Sequence, residues 1–350
     1  MADIKLSFCM PAYDRMLPLI NGEVKPNGIE LDYVGMPGGS GGVFYEQIKF
    51  KRYDISEMSM SSFLRMRAIG WPYRILPVFH NRNFAYTTTE IRKSSGIRQG
   101  HPEDLKGKRM GAGDYQQSLG LWVRGVLQME FGVKPTDMIW YQERAEHYSH
   151  TGASAEAGLA PPKGVDLRYA TTDLGTMFRK GELDASTSYS YGVNMSRGED
   201  SGLGLGRQRS GPAENPDVVT LFPDPRAEAI RFFKKYGVYP PHHTTAIRES
   251  ILEENPWVAT SLMAAFEESK KIAIQRFRQM LPRSLMVFGQ YSIRELDAIF
   301  GTDPFPYGIK ANAKAFDMAQ TFSVEQGLTE RKQPLDELFP LEVIYSEERL

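Results

Sequence analysis

Residues 105–132 read LKGKRMGAGDYQQSLGLWVRGVLQMEFG, and the reading of this stretch decides the fold. Lys108 to Gly113 predicts a short buried strand that ends in glycines. Asp114 to Ser118 is a polar turn, and Leu119 to Phe131 repeats apolar residues at helical spacing. A strand, a tight turn and a helix N-terminus together point backbone N–H groups at an anion. Other strand exits in the chain carry Arg, Ser, Tyr or His. The recurrence predicts a cleft for a small, oxygen-rich anion.

Outward from this segment, strand-like runs alternate with helical patterns as far as Tyr189, the pattern of a parallel α/β sheet. The predicted strands are Lys5–Met10, Gly28–Val34, Asp54–Ser59, Arg74–Phe79, Ala85–Thr89, Lys108–Gly113, Met138–Trp140, Asp166–Ala170 and Asp184–Tyr189. Helices are predicted over Leu17–Asn21, Gly42–Phe50, Ser62–Ile69, Ser118–Phe131 and Leu174–Lys180. The GGSGG of Gly38–Gly42 reads as a flexible turn. Ser201–Gly211 reads as a loop, because its glycines lack the strand before and capped helix after that a dinucleotide site requires. Asp224 is a natural N-cap for a helix Arg226–Tyr236, whose Phe232, Phe233 and Tyr236 read as core. Beyond Ala246 the chain turns helical: Asn255–Phe277 with Pro256 in its first turn, Ile293–Phe300, and Asn312–Gln326 closed by Gly327.

These patterns predict an α/β chain of two lobes, each a mainly parallel sheet flanked by helices, with a ligand cleft between them. Crossings fall near Phe84–Thr89 and Val238–Ala246. Lobe 1 is then discontinuous, 1–88 with 243–350, and lobe 2 is 89–242. At 350 residues the chain exceeds one ordinary core. A formal net charge of −1 gives no electrostatic basis for nucleic acid or acidic membranes. Cys9 is the single cysteine, so an internal disulfide is excluded. The chain starts almost at once with a strand instead of an export signal, and no apolar run nears the ~20 residues of a membrane span. A cytoplasmic protein is expected. His147 and His150, near Glu143 and Glu146, have weak metal-ligand spacing and read as a solvated loop. No cofactor loop or metal cluster stands out, so neither a cofactor nor a metal is expected.

Short motifs follow one another in order along nearly the whole chain: Tyr13-Asp14-Arg15 with Pro18-Leu19, Gly22 to Ile29, Tyr53 to Ser62, and Pro77-Val78-Phe79 followed by Arg82. Asp104 to Val133 adds Tyr115-Gln116 and Trp122 to Gly125. Leu221 to Asp224, Tyr239-Pro240 with His243, Asn255 to Ala259, Pro306 to Gly308, Glu325 to Leu328 and Glu337 to Phe339 continue the series. In this order the motifs resemble the 4,5-dihydroxyphthalate decarboxylase family. The resemblance implies a type II periplasmic-binding-protein-like fold used as a cytoplasmic enzyme. It also implies cofactor-independent decarboxylation of a hydroxylated aromatic acid, 4,5-dihydroxyphthalate to protocatechuate and CO2, and a homo-oligomer. The sequence departs from the family at Ser186–Tyr191, where an Arg and a Pro are usual, at GGSGG, and at Pro241-His242. A solute-binding protein for a small aromatic or organic anion is the competing reading.

Candidate site residues follow from strand exits. Arg15 and Arg82 offer planar guanidinium forks to carboxylates, with structural pairing of Arg15 to Asp14 or Asp32 as the alternative. Glu57, Ser59 and Ser61 alternate along and past one strand. Ser59 and Ser61 are candidate carboxylate contacts, Ser61 or Ser62 a helix cap, and Glu57 an acid or a group that orients His or Arg. Tyr115 and Gln116 suit a ring bearing hydroxyls. Arg124 lies a helical turn behind them, as a substrate contact or a structural ion pair. His243 is the proton-transfer candidate, since histidine titrates nearest neutrality. His80 is a secondary candidate, and His101 reads as loop.

Overall fold

Strand β1 (Ile4–Cys9) lies in parallel between β2 (Ile29–Tyr33) and β3 (Ile55–Ser59) in the computed structural model, which describes residues 3–37, 39–187 and 216–348. With β4 (Tyr73–Arg82) and β11 (Pro241–Arg248) they form a first sheet of order β2-β1-β3-β11-β4. The second sheet contains β5 (Glu90–Arg92), β6 (Arg109–Ala112), β7 (Ile139–Gln142), β8 (Asp166–Tyr169), β9 (Ala185–Ser186) and β10 (Val218–Thr220). Its order is β10-β5-β9-β6-β7-β8. Strands β9, β6, β7 and β8 are parallel, and the chain joins them through helical crossovers, as parallel geometry demands. One strand in each sheet, β11 or β5, runs against its two neighbours. Each is the first strand laid down as the chain enters that sheet from the other.

Helices α1 (Leu17–Ile20), α2 (Gly39–Phe50) and α3 (Met60–Arg67) follow strands of the first sheet. Helices α4 (Ser118–Phe131), α5 (His150–Glu156) and α6 (Leu174–Arg179) follow strands of the second. Helix α7 (Pro225–Tyr236) leads back, capped as expected by Asp224, whose carboxylate accepts from Ala227 N at 2.9 Å. Helices α8 (Glu249–Glu254), α9 (Trp257–Met280), α10 (Gly289–Phe300), α11 (Ile309–Glu325), α12 (Leu335–Leu338) and α13 (Leu341–Glu348) end the chain. Among the described residues no helix is long and apolar enough to cross a membrane.

The opening stretch folds as its pattern predicts. Strand β6 stops at Ala112, and α4 runs from Ser118 to Phe131. Gly132 then takes the left-handed conformation at φ 64°, which glycine reaches without penalty and which lets Val133 N reach back to Leu127 O. Gly125 allows α4 and α11 to touch, because a methyl group there would overlap the Phe322 ring. Trp122 packs edge-on against the same ring, and one apolar core is continuous across both sheets.

Three expectations fail for physical reasons. Ala85–Thr88 is a 3-10 turn and not a strand: Thr87 and Thr88 hydroxyls bond the carbonyls of Phe84 and Ala85, competing with any ladder. Residues 39–42 of the GGSGG segment are not a free loop, since α2 begins at Gly39, while Gly38 lies outside the described residues. His150 is not solvated: it is buried at the first turn of α5 behind its cap Ser149, while His147 points to solvent. Residues 188–191 of the Ser186–Tyr191 departure and the Ser201–Gly211 segment lie outside the described residues.

Candidate active site

His243 opens the functional region from the middle of the first sheet. Strand β11 sits between β3 and β4, and His243 pairs with Ser59 on one side and Asn81 on the other. Two residues on, Thr245 pairs with Glu57 and with Leu76, so β4 carries extra residues between Leu76 and Asn81. Pro77 cannot donate to the ladder and lies within this bulge. The bulge turns His80 inward, where its Nε2 lies 2.5 Å from Thr245 Oγ1.

Period-two alternation places Glu57 and Ser59 on one face of β3 beside His243. Glu57 Oε1 lies 3.1 Å from His243 Nδ1 and accepts the Tyr13 hydroxyl at 2.7 Å. Glu57 is fully buried, whereas the His243 side chain keeps 17% of its surface exposed. Burial pushes the Glu57 carboxyl upward, but His243, His80 and the Tyr13 hydroxyl outweigh it and hold the group below the usual carboxylate range. Tyr13 is shifted in the opposite sense: burial and the Glu57 charge keep its phenol protonated. Tyr13 stacks on His80, and the Arg15 guanidinium caps the other side, 4.5 Å from the Tyr13 ring and 4.4 Å from Phe305. Arg15 donates to Asp14 and to the His80 carbonyl. It therefore braces the Tyr13–His80 stack.

Ser59 caps α3, with Oγ 3.4 Å from Ser62 N, so the cap lies two residues before Ser61 and three before Ser62. The same Oγ lies 2.9 Å from Ser118 Oγ at the start of α4, and Ser61 N donates to Ser118 Oγ at 3.0 Å. The first turns of α3 and α4, from opposite sheets, thus meet at Ser118 Oγ. Their positive ends lie close together, a field that favours negative charge nearby. Ser61 Oγ is buried with no hydrogen-bond partner among the described residues. Ser62 Oγ lies 3.2 Å from His150 Nδ1, and Phe44 stands between the two histidines with centroids 4.9 Å from His243 and 5.6 Å from His150.

Asp114 organises the second-sheet side, a role the sequence reading missed. Its carboxylate accepts from His150 N at 2.7 Å, Gln116 N at 3.1 Å and Thr151 Oγ1 at 3.0 Å, and faces Arg144 Nη1 at 3.3 Å. Burial raises its proton affinity, yet the His150 and Arg144 charges and these N–H donors leave it below the usual range. The only available signal was its place directly after a glycine-terminated strand. His150 had none, because HTGASAE lacks apolar periodicity. Methyl groups on Gly41 and Gly42 would collide with the Arg144 guanidinium and the Tyr148 hydroxyl. Glycines at the start of α2 are what let these second-sheet side chains close on the first.

Other predicted residues stand further back. Gln116 spans the lobes, accepting from Arg65 at 2.7 Å and donating to Ser154 at 2.7 Å. Tyr115 lies inside the second lobe, edge-on to Trp140 and stacked under Arg124 at 3.8 Å. Arg124 also donates to Gln326 Oε1, just past the end of α11, and Trp122 donates to Pro241 O at 2.7 Å, two residues before His243. Arg82 spends its donors on Tyr239 O, Pro306 O and Asn312 Oδ1, tying β4 to the crossing and to α11. His242 faces away from His243 and contacts Asn83 O at 3.1 Å. Cys9 is buried, and the apolar surroundings push its thiol up to about 12.

No family model matches the chain. It is 31% identical over 343 residues to the 4,5-dihydroxyphthalate decarboxylase of Comamonas testosteroni, an alignment covering 97% of each protein. A protein of the same description from Pseudomonas putida is 36% identical over 188 residues, 53% of this chain and 70% of that one. Among solved structures, the periplasmic aliphatic sulphonate binding protein SsuA from Escherichia coli superposes with a TM-score of 0.52 at 13% identity, covering 98% of this chain and 100% of that one. The SsuA protein of Methylobacillus flagellatus gives 0.55 at 11% identity, covering 100% and 95%. At such identities these structures speak for the fold, the two-sheet type II periplasmic-binding-protein architecture. The sequence match over nearly the full length speaks for kinship: the chain belongs to the 4,5-dihydroxyphthalate decarboxylase family.

Proposed function

We propose that this chain decarboxylates a hydroxylated aromatic acid without a cofactor, with 4,5-dihydroxyphthalate as substrate and protocatechuate and CO2 as products. The observation that carries the reading is the buried Tyr13–Glu57 pair set behind a partly exposed His243 on β11, in the middle of the first sheet. In this substrate each carboxyl has a hydroxyl para to it. When that hydroxyl gives up its proton, electron density moves to the carbon bearing the carboxylate, which takes a proton. The carbon–carbon bond to the carboxylate then breaks, its electron pair restores the aromatic ring, and the phenolate is reprotonated. The net reaction consumes one proton and needs no other reactant.

His243 is assigned proton transfer, and Glu57 holds its Nδ1 side while Tyr13 holds Glu57. Such assistance supplies about 10²–10⁴-fold, so orientation and exclusion of water carry the rest. The substrate carboxylates are assigned to the region where Ser59, Ser61 and Ser118 meet. Of the remaining candidates, Arg15 supports Tyr13, Gln116 joins the lobes, and Arg82, Tyr115 and Arg124 set the framework behind the cleft. The test is to incubate purified, chelator-treated protein with 4,5-dihydroxyphthalate and follow CO2 and protocatechuate. Stoichiometric appearance of both supports the assignment. Tight binding with no turnover would support the solute-binding reading instead, and absence of binding would exclude this substrate.

A further inference from the structure

Two stretches carry the chain between the sheets, residues 83–89 from β4 to β5 and residues 237–240 from α7 to β11. Phe84 of the first stacks on Tyr239 of the second, with ring centroids 4.8 Å apart. Both rings also wall a cavity of about 340 Å³ that reaches between α9 and α10. Phe277 and Leu296 at its rim are exposed, so it opens to solvent. Sites for small molecules have volumes of about 300–1,000 Å³. His243, Glu57 and the three serines lie outside its lining, and Arg15 is the side chain it shares with the candidate active site.

Most of the charge at this cavity is already matched. Arg278 pairs with Asp297 at 2.9 Å, and Lys270 with Asp303 at 2.6 Å. Arg15 donates through Nη1 to Asp14 and through Nη2 to the His80 carbonyl, with its guanidinium 4.4 Å from the Phe305 ring. Its Nε is buried and has no hydrogen-bond partner among the described residues. An unpaired buried donor costs free energy that an incoming oxygen recovers. We infer that the cavity binds a small aromatic monocarboxylic acid, with its ring among Phe84, Tyr239 and Phe300 and its carboxylate toward Arg15. One carboxylate matches the one unspent donor, and a second would lie near Asp14 or Asp297 without a partner. The bound acid touches both inter-sheet stretches and the side chain that braces the Tyr13–His80 stack, so it stiffens the link between the sheets. The inference is independent of the proposed chemistry.

Benzoate and the neutral benzamide are the probes, titrated calorimetrically into the full chain. The variants are Ala273→Phe, which fills the cavity from α9, and His243→Gln, which alters only the cleft. Wild type and His243→Gln should bind benzoate alike, with a Kd below about 1 mM. Benzamide binding to wild type and benzoate binding to Ala273→Phe should each be at least about tenfold weaker. Benzoate should also slow amide hydrogen exchange at residues 83–89 and 237–240. Absence of benzoate binding, its loss in His243→Gln, undiminished affinity in Ala273→Phe, equal affinity for benzamide, or unchanged exchange in both stretches overturns the inference. If Ala273→Phe loses its folded circular dichroism spectrum, Leu296→Trp at the exposed rim replaces it, and undiminished affinity there overturns the inference equally.

Discussion

Glu57 Oε1 lies 3.1 Å from His243 Nδ1, joining a fully buried carboxylate to an imidazole that still reaches solvent. The carboxylate is fixed from its other side by Tyr13, and the imidazole, with Phe44 against it, keeps part of its surface open to solvent. Under the proposed reaction, His243→Gln should lower turnover by about 10²–10⁴-fold while substrate affinity changes little. Glu57→Gln keeps the shape and removes the charge, and should lower turnover by about tenfold or more. Steady-state rates with 4,5-dihydroxyphthalate check both. Full turnover in His243→Gln, with the wild-type pH profile, would falsify the assignment.

Three histidines behind this pair predict how stability responds to acid. Burial pushes His80 and His242 down to about 3 and His150 down to about 4, from an ordinary 6.5. Between 6.5 and those values the unfolded chain binds protons that the folded chain does not. Stability therefore rises with pH in that window and falls as pH drops through it. From pH 7.5 to 5.5 each such histidine removes about 1.4 kcal/mol, roughly 4 kcal/mol for three. Glu57, held low in the folded state, adds its own loss only below about 4.5. Urea midpoints at the two pH values measure the effect, and His242→Asn should flatten the slope by about a third. Equal wild-type midpoints at both values would mean that the histidines are not held neutral.

Much of this architecture was legible because the parallel strands and α4 carry strong local patterns. The Lys108–Phe131 segment, the Asp224 cap and Gly327 just past α11 each have a local cause, and each was read from a few residues. His243 and Glu57 were both visible as strand residues, but their pairing depends on the register of β11 against β3, which no local pattern encodes. Asp114 and His150 were missed for the same reason: their partners come from other strands and helices. The Thr87–Thr88 turn was misread because β-branched residues favour strands until their hydroxyls find backbone carbonyls.

Ser118, at the start of α4, ties the second sheet's helix to β3 and α3. Its hydroxyl meets Ser59 Oγ and accepts Ser61 N–H, so Ser118→Ala leaves a buried N–H without its partner. The loss should destabilise the chain by about 1–3 kcal/mol. If the substrate carboxylate lies there, KM should also rise, and more than turnover falls. Chemical denaturation and Michaelis kinetics separate the two effects. A stable variant with unchanged KM would move the anion site elsewhere.

Gly41 sets local preference against tertiary packing. It lies inside α2, where alanine is worth about 1 kcal/mol more than glycine, so propensity alone predicts that Gly41→Ala stabilises. The added methyl, however, would occupy the place of the Arg144 guanidinium, which is buried against Asp114. Arg144 would have to leave its carboxylate, and Asp114 also holds His150 N and Gln116 N. The expected result is a net loss of about 1–3 kcal/mol in place of a gain, together with weaker substrate binding. Denaturant unfolding and binding of 4,5-dihydroxyphthalate measure the two consequences. A stabilised Gly41→Ala variant with wild-type affinity would show that the close approach of α2 to Arg144 contributes nothing to the closed cleft.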